Sequence, residues 1–151
     1  MRSIHIQPTF ESWRAAARGL LAAAVDPGEV LWSDNEAEAS LFDAGVTASG
    51  KPPKVPAAFL EVARNAAAHT DPRRWGMLYR MAWRITHGGE RHLLEMPTDP
   101  DTRMAQNWCK AVGREVHKMH AFVRFRLVGV DEQSGREQFV AWFEPEHRVV
   151  R

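Results

Sequence analysis

The sequence predicts an α+β domain in which four helices pack on a small, mainly antiparallel sheet formed by the N-terminal strand and a C-terminal hairpin. Apolar residues recur with the 3.6-residue period of a helix in four segments, and with the 2-residue period of a strand at both ends of the chain. The length of 151 residues suits one hydrophobic core. We therefore expect a single domain over residues 1–151.

The first part of the chain is predicted to form a strand, a helix and a second strand. "RSIHI" alternates polar and apolar residues, as strands do, and Pro8 ends it. Thr9 can cap a helix over about residues 10–24. "EVLWS" follows an Asp-Pro-Gly turn as the second strand, and residues 43–54 are predicted to be a loop. The apolar stripe of the helix is expected to consist of Phe10, Trp13, Ala17, Leu20, Leu21 and Ala24.

Three more helices are predicted in the middle of the chain. Pro56 suits the first turn of a helix over about residues 56–68. Asp71-Pro72 begins the next helix, which runs to about His87 and stops at two glycines, and Asp99 or the preceding threonine begins the last. The buried face of the second helix is expected to consist of Phe59, Val62, Ala63 and Ala66. That of the third is expected to consist of Trp75, Leu78, Tyr79, Ala82 and Ile85, and that of the fourth of Met104, Trp108, Val112, Val116 and Met119.

The apolar period changes from 3.6 to 2 after the fourth helix. "FVRFRLVGV" and "EQFVAWFE" flank the turn sequence "DEQSG", which predicts an antiparallel hairpin. The N-terminal strand is expected to join this hairpin in one sheet.

The composition excludes several classes of protein. No stretch reaches the roughly 18 uninterrupted apolar residues of a membrane span. The segment "MRSIHIQPTF" lacks the apolar core of a secretory signal, so we expect a cytoplasmic protein. The single cysteine, Cys109, excludes an intramolecular disulfide framework and a metal site built from cysteines alone.

Charge is distributed unevenly along the chain, although its net value is only +1. Residues 1–50 carry 3 basic and 7 acidic side chains, residues 51–126 carry 14 and 7, and residues 127–151 carry 3 and 5. A basic middle between acidic ends indicates a local field for an anionic partner such as nucleic acid. An arginine-rich but merely solvated helical surface would give the same distribution.

The predicted third helix carries a basic stripe within "PRRWGMLYRMAWRITHGGERH". Arg73, Arg80, Arg84 and His87 fall at offsets 0, 7, 11 and 14, which places them on one face of a helix. Such a stripe can follow successive phosphates, and Trp83 beside it can stack on an exposed base. The alternative is that these arginines solubilise the helix and cover its neighbours with their aliphatic stems.

"EVHKMHAFVRFR" predicts a second phosphate-binding surface where the fourth helix meets the hairpin. Arg114, His117 and Lys118 lie on the outward side of the helix. Arg124 and Arg126 point to the same side of the following strand. We predict that these five residues contact nucleic acid together with those of the third helix.

A metal or acid/base site at His117 and His120 is the competing interpretation of that segment. Their i, i+3 spacing could place both on one metal ion, but the sequence brings no third ligand near them. Arg114 and Lys118 would also repel a cation. We therefore expect no metal and no cofactor in this chain, and no assigned catalytic residue, with these two histidines as weak candidates for acid/base work.

The chain resembles a bacterial family known as "probable DNA metabolism proteins", whose molecular function is unknown. The resemblance lies in "SIHIQPTFESWRAAARGLLAAAVDPGEVLW", "SLF", "EVHKMHAFVRFR" and "FVAWFEPEH" and covers nearly the whole chain. Members occur beside a radical-SAM protein or fused ahead of an iron–sulfur uracil-DNA glycosylase, and they continue past the equivalent of "EPEHRVVR". The resemblance therefore implies an N-terminal fragment or domain of a longer protein, without the glycosylase half.

Together these observations predict an accessory domain of a DNA repair or metabolism protein, which binds DNA and positions it for a uracil-DNA glycosylase or radical-SAM enzyme. Single-stranded or damaged DNA is the expected substrate, held weakly, and a membrane is not an expected partner. Two alternatives stay open: a small enzyme that acts on nucleic acid through His117 or His120, and a module that docks a repair enzyme by protein–protein contacts. Whether the chain is itself an enzyme is left undecided by its residues.

Overall fold

The structure is a computed structural model that describes residues 1–38, 50–122, 124–130, 137–142 and 147. From residue 121 to residue 142 the description covers the backbone alone. Side chains are described for residues 1–38, 50–120 and 147.

Four helices and four short strands make up the described chain, so the broad α+β class and the number of helices are confirmed. In chain order the elements are β1 (Arg2–His5), α1 (Phe10–Ala22), β2 (Val30–Ser33), α2 (Ala57–Ala67), α3 (Arg74–Thr86), α4 (Pro100–Phe122), β3 (Arg124–Val130) and β4 (Glu137–Trp142). Single 3-10 turns occur at Pro27–Glu29, Glu36–Glu38 and Leu93–Glu95.

The prediction of one mainly antiparallel sheet is wrong. β1 pairs with β2 in a parallel, two-stranded sheet, with Arg2 opposite Val30 and His5 opposite Ser33. β3 and β4 do pair antiparallel, but in a separate two-stranded sheet that the N-terminal strand does not join. The reason is the connection between β1 and β2: α1 carries the chain back along the sheet, and such a crossover lets the second strand run parallel to the first.

α1 begins and ends at residues whose local chemistry favours a helix terminus. The side chain of Thr9 accepts a hydrogen bond from the backbone N–H of Ser12 at 3.2 Å, and the Ser12 hydroxyl accepts one from the N–H of Gln7 at 3.0 Å. The helix stops at Ala22, and Ala24 adopts a positive φ of 51° and is exposed. Ala24 is therefore wrongly assigned to the apolar stripe, while the other five predicted residues are buried.

α3 is the central helix of the hydrophobic core. All five residues of its predicted apolar face are buried, as expected. The hydroxyl of Tyr79 donates to the carbonyl of Val25 at 2.6 Å, and the indole N–H of Trp13 donates to the carbonyl of Trp75 at 3.1 Å, so these buried polar groups are satisfied. On α4, Trp108 and Val112 are buried, but Met104 is 36% exposed, which corrects its assignment to the buried face.

A buried arginine ties the start of α3 to its neighbours. Arg74 is 2% exposed and donates to the carbonyls of Ala67 and Asp71 at 3.0 and 2.9 Å. It also donates to the carboxylate of Asp34, just after β2, at 3.0 Å, and the Trp75 indole N–H donates to the same oxygen at 3.0 Å. Burial raises the pKa of Asp34, but the hydrogen bond from Trp75 and the charge of Arg74 outweigh it and hold that pKa below its ordinary value.

Candidate nucleic-acid interface

The three arginines predicted to follow a phosphate chain along α3 all have carboxylate partners within the protein. Arg73 pairs with Asp71 at 2.7 Å and Arg80 pairs with Asp101 at 2.5 Å. Arg84 has three partners and is described below. Arg73, the residue just before α3, and Arg80 on α3 are both exposed, as the spacing predicts. The positive charge of this stripe is therefore offset by nearby carboxylates, which the sequence prediction did not anticipate.

Arg84 is the centre of an ion-pair cluster between α3 and the start of α4. Its guanidinium donates to Glu90 at 2.8 and 2.9 Å, to Asp99 at 3.1 and 2.7 Å, and to Asp101 at 3.2 Å. The hydrogen bonds from Arg84 hold the pKa values of Glu90 and Asp99 below their ordinary range. Asp99 also accepts from the backbone N–H of Thr102 at 3.1 Å and so caps α4. A phosphate would have to displace three carboxylates to contact Arg84.

The other two candidates on α3 contact each other. The rings of Trp83 and His87 stack with their centroids 4.1 Å apart and their planes inclined by 11°. The hydroxyl of Thr86 lies 2.9 Å from Nδ1 of His87. One face of Trp83, which is half-buried, is therefore covered by His87, which is exposed.

The four candidates on α4 are exposed. Arg114, His117 and His120 lie at the surface, and Lys118 pairs with the buried Glu115 at 3.3 Å. The side chains of Arg124 and Arg126 lie outside the described residues, so their predicted contacts with nucleic acid stay a prediction. In the part of the chain that the structure describes, no three His, Cys, Asp or Glu side chains are grouped so that they could hold a metal ion.

A cavity of about 470 Å³ lies between α1, α2 and the segment that leads into α2; we call it the basic cavity. Four cationic side chains line it, and most of its remaining wall is apolar. No acidic side chain is among the described residues that line it. The lining residues are Trp13, Arg14, Ala17, Arg18, Leu21, Lys51, Pro52, Pro53, Lys54, Val55, Phe59, Leu60 and Ala82.

A second cavity of about 470 Å³ adjoins the first and extends the positive surface to the end of α3. It shares Pro53, Lys54 and Val55 with the basic cavity and is also lined by Arg91. The cations of both cavities form what we call the basic rim: Arg14, Arg18, Lys51, Lys54 and Arg91. All five are exposed, and none has an ion-pair partner among the residues whose side chains are described.

The basic rim follows from two short sequence patterns that the prediction did not connect. Arg14 and Arg18 are four residues apart on α1, so both lie on one side of the helix, away from its buried stripe. Lys51 and Lys54 flank two prolines in "KPPK", and proline fixes the backbone φ of this segment. "KPPK" is predicted only as the end of a loop, and the predicted phosphate contacts lie on the third and fourth helices and the strand that follows. "RAAAR" and "KPPK" were visible in the sequence, but their proximity was not.

A pair of histidines lies beside the turn between α2 and α3. The ring of His69 lies 4.0 Å from that of His147 and 5.6 Å from that of Trp108, measured between centroids. The backbone N–H of Asp71 donates to Nδ1 of His69 at 3.0 Å, so this nitrogen is an acceptor and unprotonated. Burial lowers the pKa of His69, and the positive charge that His147 can carry lowers it further. The structure thus pairs His147 with His69.

His69 is expected to make the protein less stable as the pH falls from about 7 to about 5. Because its pKa is lower in the folded state, the unfolded chain binds a proton first, and stability is lost below the ordinary histidine pKa of about 6.5. In His69→Gln the fall in the free energy of unfolding between these two pH values should be smaller, as urea denaturation can measure. His117→Gln, at an exposed position, is the control. An equal fall in wild type and His69→Gln would contradict this prediction.

A family model for DUF4130, a domain of unknown function, matches residues 72–151, just over half of the chain. The matched range includes α3, α4, β3 and β4. No curated protein and no solved structure matched the chain. Within the described ranges, no helix combines the length and apolar character that crossing a membrane requires.

Proposed function

The chain belongs to the DUF4130 family of domains of unknown function, and from the charged side chains on its surface we propose that it binds nucleic acid through phosphate contacts of the basic rim. The observation that carries the proposal is the difference between two sets of cations. Arg73, Arg80 and Arg84 are engaged by carboxylates, whereas the five cations of the basic rim are exposed and without ion-pair partners in the described part of the chain.

The electrostatics of the rim favour an extended polyanion. Its five side chains come from α1, from residues 51–54 and from the segment after α3, so they do not converge on one point. Exposed cations of one sign along a surface attract a phosphate backbone and release its counterions on binding. The rim therefore supplies the sequence-independent part of nucleic-acid affinity, while the net charge of +1 gives no sign of it.

We further propose that the nucleic acid is DNA and that the domain acts in DNA repair. This is supported by the resemblance of the sequence to probable DNA metabolism proteins, whose members occur with a uracil-DNA glycosylase or a radical-SAM enzyme. We propose that the domain is an accessory one that holds DNA, single-stranded or damaged, for such an enzyme in the same or a neighbouring chain. The phosphate contacts of the rim would bind DNA irrespective of its base sequence.

The test is a titration of a fluorescently labelled DNA oligonucleotide with the protein at about 50 and about 200 mM salt. We expect the logarithm of the association constant to fall with the logarithm of salt concentration, by about 0.7 to 0.9 for each phosphate that is neutralised. Binding that is absent at the lower salt concentration, or that does not respond to salt, would contradict the proposal. Absent binding would favour the alternative of a module that docks another protein.

A further inference from the structure

We propose that the basic cavity holds one unpaired base of a single-stranded nucleic acid, while the phosphates on either side contact the basic rim. This inference rests on the proposed function and goes beyond it, since it names the form of nucleic acid and the place of a base.

The size of the basic cavity suits a base that has left its stack. Its volume of about 470 Å³ falls within the range of about 300–1,000 Å³ that is usual for small-ligand sites. In a duplex each base is stacked and paired in the interior of the helix, so it cannot enter a cavity of this kind. A single strand, or a base turned out of a duplex, can do so, and the single strand avoids the cost of breaking a base pair.

The apolar walls of the cavity match the faces of a base. Leu60 contributes the accessible apolar wall from α2, and Pro53 and Val55 close the side next to the lysines. Phe59 and Leu21 also line the cavity but are only 1% and 3% exposed, so they support this wall more than they offer surface to a ligand. Base faces stack on aromatic and apolar surfaces whatever the base, since every base has a π face.

The one indole N–H among the described residues of the cavity wall is already used. Trp13 donates it to the carbonyl of Trp75 at 3.1 Å and is only 2% exposed, so the indole offers the cavity no free donor and little surface. A polar ligand head would gain no hydrogen bond from this side chain.

Among the described residues around the cavity there is no amide, hydroxyl or carboxylate side chain that could accept a hydrogen bond from the edge of a base. The polar side chains of the described lining besides Trp13 are the cations Arg14, Arg18, Lys51 and Lys54, which suit phosphates. Arginine and lysine can also donate to O6 and N7 of guanine, so any discrimination between bases by these residues would favour guanine.

The four cations are placed so that a strand can pass the cavity while its base is inside. Arg14 and Arg18 stand on α1, and Lys51 and Lys54 stand on the segment before α2, so cations approach the cavity from two different elements. A nucleotide with a phosphate on each side of its sugar can use both pairs. A free mononucleotide has only one phosphate position and would use fewer of them.

The first experiment changes the ligand and leaves the protein intact. Three labelled oligonucleotides of equal length are compared by fluorescence anisotropy at two salt concentrations: a single strand, the duplex of the same sequence, and a single strand in which every base is replaced by an abasic residue. We expect the normal single strand to bind at least roughly tenfold more tightly than the abasic strand, which has the same phosphates but nothing to stack. It should also bind more tightly than the duplex.

The second experiment removes apolar surface from the cavity and leaves its cations in place. Leu60→Gln replaces the accessible apolar wall by a polar side chain, and Leu31→Gln, on the exposed side of β2, is the matched control. We expect Leu60→Gln to reduce the advantage of the normal strand over the abasic strand without changing the salt dependence, because the base loses apolar surface, whereas Leu31→Gln should change neither. Thermal melting of both variants checks that they fold, and the comparison of ligands does not depend on either variant.

The outcomes separate this inference from the proposed function. Equal, salt-dependent binding of all three oligonucleotides would overturn the base site and leave phosphate binding in place. Salt-independent or absent binding of all three would overturn both. A free mononucleotide that binds as tightly as the oligonucleotide would overturn the inference in favour of a small-ligand site.

Discussion

Asp34→Ala is expected to lower the free energy of unfolding by about 3 kcal/mol. Arg74 is almost fully buried, and Asp34 is a carboxylate that pairs with its guanidinium and also accepts from the Trp75 indole N–H. Removing one partner of a buried pair weakens the compensation of the other charge, which typically costs about 3–5 kcal/mol. The Asp34 side chain is 26% exposed, and water can replace part of what it gives, so the lower end of that range applies.

Urea denaturation of matched variants measures this effect. Asp34→Asn keeps an oxygen that can accept from Trp75 but loses the charge, so its loss of stability should be intermediate. Arg73→Ala removes the arginine of the ion pair with Asp71. Because the Arg73 side chain is 72% exposed, this substitution should change the free energy of unfolding little. Because the pKa of Asp34 is lowered in the folded protein, the difference between wild type and Asp34→Ala should shrink as the pH falls below about 4. A loss in Asp34→Ala no larger than in Arg73→Ala would contradict the account.

Arg84→Ala is expected to have the second-largest effect, a loss of about 2 kcal/mol in the free energy of unfolding. The guanidinium makes five hydrogen bonds to Glu90, Asp99 and Asp101. Its removal leaves three carboxylates close together at the start of α4, and the repulsion among them adds to the lost bonds. Arg84→Lys should recover only part of the loss, because an ammonium group cannot present the same planar fork of donors to several carboxylates.

The dependence on pH distinguishes this ion-pair cluster from simple packing by the arginine stem. The pKa values of Glu90 and Asp99 are lowered in the folded state, so the stabilisation is present above the ordinary carboxyl pKa of about 4 and is lost as the pH falls through the lowered values. The difference in the free energy of unfolding between wild type and Arg84→Ala should therefore be smaller at about pH 3 than at about pH 7. Arg103→Ala, an exposed position on α4, is the control of equal charge change. A difference that is the same at both pH values would assign the effect to packing.

The helices were predictable from the sequence because their information is local. Thr9 at the start of α1 and the apolar periods of α1 and α3 depend on residues within one or two turns, and the structure has these helices where they were expected. The pairing of β1 is different, since an isolated four-residue strand does not specify its partner. The β1–α1–β2 order was itself a sign of a parallel unit, but the clear hairpin at the other end of the chain drew the prediction to an antiparallel sheet.

For the candidate site, the sequence predicted which side chains lie on the exposed face of a helix, but not which residues from other elements contact them. Spacing placed Arg73 and Arg80 correctly on the exposed side of α3, yet the carboxylate that engages Arg80 is Asp101, 21 residues further on. A helical pattern cannot show a partner at that separation. The same limit hid the basic rim, whose arginines on α1 and lysines before α2 meet only through the packing of those helices. Arg74 shows the same limit, because it directly follows the exposed Arg73 in the sequence and yet is buried.

The central claim is that the basic rim, rather than the arginines of α3, contacts phosphates, and the salt dependence of binding in two charge-matched variants tests it most directly. Arg18→Gln with Lys54→Gln removes two charges from the rim, and Arg73→Gln with Arg80→Gln removes two charges that carboxylates already engage. With a single-stranded oligonucleotide, we expect the first variant to flatten the slope of log K against log salt by about 0.7 for each lost contact and the second to leave it nearly unchanged. The reverse order, with a flatter slope only in the second variant, would contradict the claim and return the interface to α3.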